Sequence, residues 1–182
     1  MKTIQINLYA LDELDEKARE VALQEYSYFN VEDDWWLDTY EDANLSGLKI
    51  TGFDIDRGAY CKGEFTDNAT TCAGLILNNH GDQTATYQTA QSFLNEIHGI
   101  VSNWPKNADG EFVNEDELDD KAEEAENEFL SSLLEDYRIL LQHEYEYLIS
   151  ERAVIETIEA NGYLFTADGK KAWKLEKLAN PT

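Results

Sequence analysis

The stretch Leu48-Lys49-Ile50-Thr51-Gly52-Phe53-Asp54-Ile55-Asp56-Arg57-Gly58 decides the fold class. Leu48 and Ile50 alternate with polar residues on one face, while Phe53 and Ile55 fall on the other. This period of two predicts a strand over 48–57, and the change of phase at Gly52 predicts a β-bulge. Arg57-Gly58 then turns the chain into a second strand over 59–66, with Cys61 and Phe65 on one face. Helical patterns flank this pair on both sides, so the fold class is α+β.

Toward the N-terminus, Ile4, Ile6 and Leu8 alternate with Thr3, Gln5 and Asn7, which predicts a half-buried strand over 3–9. Asp12, with Asp15 three residues on, reads as the cap of a first helix whose inner face holds Leu14, Ala18, Val21 or Ala22, and Tyr26. Asn30 and Glu32-Asp33-Asp34 read as the start of a second helix, because carboxylates favour the positive end of the helix dipole. Trp35, Trp36, Tyr40 and Ala43 supply its apolar content and Gly47 its stop.

Toward the C-terminus, 69–79 reads as a short helix and 84–103 as an amphipathic one ended by Pro105. Asn107-Ala108-Asp109-Gly110 is a turn, and Asn114 with Glu117 caps the next helix. Leu118, Ala122, Ala125, Phe129, Leu133, Tyr137, Leu140 or Leu141, and Leu148 keep one stripe along it. Ser150 caps a further segment through Glu159, closed by Asn161-Gly162. Asp168-Gly169 predicts a hairpin between strands at 163–166 and 171–174, flanked by Tyr163, Phe165 and Trp173, with a basic tail of Lys170, Lys171, Lys174 and Lys177. The expectation is a single domain over 1–182. A small, mostly antiparallel sheet carries helices on one face, and 84–160 forms either a projecting arm or an antiparallel helical hairpin. The apolar stripe of the long helix would equally suit a homodimer seam.

The chain has 182 residues, with 38 Asp and Glu against 14 Lys and Arg, a formal net charge of −24 and a pI near 4.2. Aromatic residues make up 12%, too many for a disordered acidic chain. The charge balance excludes direct binding to nucleic acid or an anionic membrane, because each neutralised phosphate needs a Lys or Arg. No stretch has the apolar length of a membrane span, and the N-terminus lacks the apolar run of a signal peptide. Cys61 and Cys72 form no CxxC pair and read as small, semi-buried residues with reduced thiols. The expected location is the cytosol.

The acids are concentrated. Residues 12–42 carry a net −10, and residues 109–128, with Lys121 as their one basic residue, another −10. Twenty helical residues span about 30 Å, a length over which duplex DNA carries roughly 18 phosphates. One such face offers about half the charge density of the duplex, and two side by side would match it. The candidate binding residues are therefore Glu115, Asp116, Glu117, Asp119, Asp120, Glu123, Glu124, Glu126 and Glu128, followed by Glu32, Asp33, Asp34 and Asp38. Solvated helix faces that keep the protein soluble are the other account of the same residues. Adjacent tryptophans on a helix point about 100° apart, so of Trp35 and Trp36 one would be core and its neighbour a partner anchor, unless both pack inside.

Chemistry-bearing motifs are sparse. Measured against a calcium loop, Asn107, Asp109, Gly110 and Asp116 fall at ligand positions, but Pro105 occupies the first and Asp replaces Glu at the last. Asp54 and Asp56 share a strand face that would hold Mg²⁺ or simply meet water. His80, His98 and His143 are far apart, and no nucleophile elbow, phosphate loop or dinucleotide fingerprint occurs. The expectation is a binding protein with no cofactor, not an enzyme, with a carboxylate-dependent metal protein as an alternative.

Several segments together resemble a family of short phage and bacterial mobile-element proteins. They are Leu11-Asp12-Glu13-Leu14-Asp15-Glu16-Lys17-Ala18 with Ala22-Leu23-Gln24-Glu25-Tyr26, then Asp33-Asp34-Trp35-Trp36, then Gly47 through Gly58. Thr157-Ile158-Glu159-Ala160-Asn161-Gly162 with Phe165-Thr166-Ala167-Asp168-Gly169-Lys170 is similar too. Some members of that family carry the label of a toxin–antitoxin stability system antitoxin. The resemblance covers about half the chain, leaves out 67–150 and carries over no catalytic residues. It implies a phage-like gene, and small acidic phage proteins include anti-CRISPR and anti-restriction inhibitors that mimic DNA. The expected partner is thus a basic, nucleic-acid-binding host defence protein, or alternatively a basic toxin.

Overall fold

A computed structural model describes residues 5–172, with six α-helices and a two-stranded antiparallel sheet in an α+β fold. The elements are α1 (Glu16–Tyr26), α2 (Leu37–Leu45), β1 (Leu48–Asp54), β2 (Tyr60–Phe65), α3 (Ala69–Asn79), α4 (Ala85–Asn103), α5 (Glu115–Leu148) and α6 (Glu151–Asn161). They group into two compact units. One is Met1–Trp35 with His143–Thr182, and the other is Trp36–Gln142.

The 36–142 unit is built on the β1–β2 ladder. Leu48 pairs with Phe65, Ile50 with Gly63, and the register shifts so that Gly52 faces Lys62 and Phe53 faces Cys61. The expected bulge is present, and Thr51 is its extra residue. One inserted residue restores the phase, so Phe53 returns to the face of Leu48 and Ile50 instead of the opposite one. There it meets the rings of Trp36 at 5.8 Å and Tyr40 at 6.1 Å. Helices cover this one face of the sheet, and Ala43, Ile76, Ala90, Phe93, Phe129, Leu133 and Tyr137 complete the core.

Within this unit α4 and α5 run antiparallel. The rings of Phe93 and Phe129 stack, and further along the Thr89 hydroxyl donates to Asp136 Oδ2 at 2.7 Å. These contacts pair α4 with the part of α5 up to Asp136. The stripe chooses Leu141 over Leu140, which is 46% exposed.

In the other unit α1 and α6 pack around Leu11, Ala22, Tyr26, Val154, Ile158 and Phe165. Asp15, not Asp12, caps α1, its Oδ1 accepting from the Ala18 N–H at 2.9 Å, while Asp12 lies in a 3-10 turn over Leu11–Glu13. Ser150 caps α6, and Gly162, with φ 61°, closes it. Among the described residues the strands expected over 3–9, 163–166 and 171–174 do not form. Tyr9, Phe165 and Lys171 make only isolated bridges, and residues 5–8 have no regular structure. Phe165 exchanges both backbone hydrogen bonds with Tyr9, each 2.9 Å, and its ring packs against Tyr26. Thr3 and Ile4 of the expected first strand, Trp173 and Lys174 of the last, and the tail with Lys177 lie outside the described residues.

Candidate functional site

The acidic residues 115–128 occupy the first four turns of α5. Helix geometry turns Leu118, Ala125 and Phe129 toward the core, where all three are buried. The carboxylates flank that stripe. Glu115, Asp116, Glu117, Asp119, Asp120, Glu123, Glu124 and Glu128 are exposed, and Glu126 is half-buried. Steps of three and four place Asp116, Asp119, Glu123 and Glu126 along one row and Glu117, Asp120, Glu124 and Glu128 along another.

Glu115, Asp116 and Glu117 lie in the first turn, where the helix dipole favours them by about 0.3–1 kcal/mol each. The six acids beyond it receive no such support. Lys121 is the only base among them and pairs with Glu124, whose carboxyl it holds below the ordinary range. The other carboxylates crowd one another, a local cost of a few tenths of a kcal/mol per pair. Asn114 enters the helix with φ 54°, its carbonyl accepting from the N–H groups of Glu117 and Leu118.

The second acidic group is arranged differently from expectation. A 3-10 turn at Phe29–Val31 and then a bend carry Glu32, Asp33 and Asp34, and α2 begins only at Leu37, with Asp38 in its first turn. The stretch is therefore not a second acidic helix face. The reason lies in Trp35 and Trp36, both half-buried in the turn before α2. Trp35 packs on Tyr145 at 5.6 Å and Trp36 on Phe53, each ring within its own unit.

Between α4 and α5 lies a cleft of about 330 Å³, lined by Gln88, Thr89, Ser92, Phe93 and Glu96 from α4 and by Ala125, Glu128, Phe129 and Ser132 from α5. Sequence reading picked out Glu128 but not Glu96, which only the antiparallel pairing of the helices brings to the same cleft.

The metal candidates are occupied by local turns. Asn107 Oδ1 accepts from the N–H groups of Asp109 at 3.0 Å and Glu111 at 2.9 Å, and Asp54 Oδ1 accepts from Asp56 N–H at 2.8 Å. Among the described residues no group of three or more His, Cys, Asp or Glu is placed to hold a metal ion. Burial pushes the Cys61 thiol up to about 11 and that of Cys72 up to about 12.

A polar network in the 36–142 unit, with Ser46 and Thr86 buried and Asp42 exposed, had no sequence signal beyond a lone histidine. His80 Nε2 lies 2.9 Å from Ser46 Oγ and 3.5 Å from Asp42 Oδ1, and Nδ1 lies 2.7 Å from Thr86 Oγ1. The Tyr137 hydroxyl donates to Asp42 Oδ2 at 2.9 Å, and burial together with that carboxylate raises its pKa. A Ser–His contact of this length suits nucleophile activation. Here, however, Ser46 is 1% exposed and the carboxylate shares the serine's nitrogen instead of orienting the other one. The network braces α2 against the segment between α3 and α4.

No family model matches the chain, and no solved structure matches it either. A stretch of 93 residues, 50% of the chain, is 33% identical to part of collagen-like protein 6 of Acanthamoeba polyphaga mimivirus and covers 6% of that protein. With 10 glycines, 2 prolines and no Gly-X-Y run, the chain shares no triple-helical repeat with a collagen. Among the described residues no helix is long and apolar enough to cross a membrane.

Proposed function

We propose that the protein is a phage-type acidic inhibitor that binds a basic, nucleic-acid-handling host defence protein, the carboxylates of α5 standing where phosphates would. The observation that supports this is the set of nine carboxylates over 115–128, eight of them in two rows, countered by one lysine. These fourteen residues span about 21 Å, along which a duplex presents about 12 phosphates. The helix backbone fixes the carboxylates in place, so a basic groove meets them without first ordering them. Attraction of this kind speeds association and weakens with salt.

Affinity capture from bacterial lysate at low and high salt tests the reading. The expected partner is basic, is released by salt and by added duplex DNA, and loses its own nucleic-acid binding when the inhibitor is present. Reversing Asp116, Asp119, Asp120 and Glu123 to Lys should weaken that binding by about a hundredfold. Affinity that is unchanged across the salt series, or retained by the reversed variant, overturns it. A small, co-encoded basic toxin as the captured partner would replace it with the antitoxin-like reading.

A further inference from the structure

We propose that the cleft between α4 and α5 seats an arginine side chain of the protein partner. This rests on the acidic-surface reading and deepens it by naming one contact. The cleft has a volume of about 330 Å³, near the lower end of the range for sites that enclose small ligands. That is room for a long side chain. Phe93, Phe129 and Ala125 form its apolar floor, and all three are buried. The rim is polar on both sides. Ser92 and Glu96 stand four residues apart on α4, and Glu128 and Ser132 four apart on α5, so each helix offers one hydroxyl and one carboxylate on a single row.

The charges are unmatched. No Lys or Arg lines the cleft. Among the described residues neither Glu96 nor Glu128 forms a hydrogen bond or ion pair. A cationic side chain is therefore the occupant that the rim favours, while an anionic one is repelled by both walls.

Arginine fits better than lysine for two reasons. Its methylene stem covers the apolar floor while the head stays at the rim. Its planar guanidinium then presents five donors in a fork, enough to reach carboxylates on both helices together. A lysine ammonium is a compact, strongly hydrated point that gains less from two separated acceptors.

The test uses the whole ¹⁵N-labelled chain, titrated at low salt with hexa-arginine amide and with hexa-lysine amide. The expected result is that amide shifts centre on Ser92, Glu96, Glu128 and Ser132, with the arginine peptide bound about tenfold more tightly. Glu96→Gln with Glu128→Gln should bring that ratio close to one. Asp119→Asn with Glu123→Gln, away from the cleft, should weaken both peptides in step and keep the ratio. Equal affinity for the two peptides, with shifts confined to 115–124, overturns the arginine seat and leaves the acidic-surface reading standing. Failure of both peptides to bind overturns both.

Discussion

The rings of Phe93 and Phe129 lie parallel, with 6° between their planes and 4.4 Å between centroids. Carbon atoms in contact sit about 3.5 Å apart, so the rings are slipped sideways by roughly 2.7 Å, the offset that their quadrupoles favour. Phe65 stacks on Phe129 at 5.6 Å and 19°. Three rings thus join β2, α4 and α5 in one stack that sets the spacing of the two helices and the floor of the cleft.

Removing the shared ring should therefore be costly. Phe129→Ala is expected to lower stability by about 3–5 kcal/mol, through lost burial and the cavity left behind. Phe129→Leu, which keeps more of the volume, should cost less. Urea unfolding midpoints measure both, and a loss below about 1 kcal/mol for the alanine variant would show that the stack collapses without consequence.

The polar network around His80 predicts coupling. Ser46 is buried and touches His80, while Tyr137 and His80 both reach Asp42. Ser46→Ala should cost about 1–3 kcal/mol, because it leaves the buried His80 ring nitrogen without that bond. Tyr137→Phe leaves Asp42 exposed to water and should cost only about 0.5–1.5 kcal/mol. The double variant should cost less than the two together, since both disturb the same network. Strict additivity in chemical denaturation would mean that the two bonds are independent.

What the sequence made legible was local. Periodicity located α3, α4 and α5 closely, and the phase break at Gly52 located the bulge, because both signals are written in neighbouring side chains. The segments 3–9, 163–166 and 171–174 look like strands by alternation, yet a strand exists only through a partner, and their described residues form none. Alternation cannot say that Phe165 will pair with Tyr9 and Lys171 through single bridges only, with its ring packed on Tyr26, instead of through an extended ladder. The acids of α5 were legible as a charged helix. The cleft was not, because Glu96 and Glu128 are 32 residues apart and meet only through the antiparallel pairing of their helices. The His80 network likewise draws Asp42 and Ser46 from the end of α2, Thr86 from α4 and Tyr137 from α5.

The turn after Phe165 depends on one glycine. Gly169 has φ 80° and is buried, and a Cβ placed there would collide with the Ala18 carbonyl of α1. Around it Lys171 closes the turn onto α1, its ammonium 4.0 Å from the centre of the Tyr26 ring and its N–H donating to Glu25 at 3.1 Å. Gly169→Ala should therefore cost more than the ~1 kcal/mol of a left-handed residue alone, on the order of 2–3 kcal/mol. Gly110, with φ 86° but open space around it, is the control, and its alanine variant should cost only the conformational part. Equal losses at the two positions, compared by thermal unfolding, would mean that the contact with α1 adds nothing.

Asp136 carries a pH dependence of definite sign. Partial burial pushes its carboxyl above the ordinary range, and the Thr89 hydroxyl bond offsets this only in part. A carboxyl whose pKa is higher in the folded state holds its proton more tightly there than in the unfolded chain. Its contribution is then most favourable below both values and falls as pH rises from the unfolded value through the folded one. Asp136→Asn keeps an oxygen for Thr89 and has no proton to lose. The stability of the Asp136→Asn variant relative to the parent should therefore be lowest in acid, rise across the carboxylate range and level off toward neutral pH. Because the group is partly exposed, the gain should be a few tenths of a kcal/mol. Urea unfolding of both proteins from acid to neutral pH measures the difference directly, with the many other carboxylates cancelling. A difference that shrinks as pH rises would mean that the Asp136 carboxylate is stabilised by the fold and that its hydrogen bond outweighs its burial.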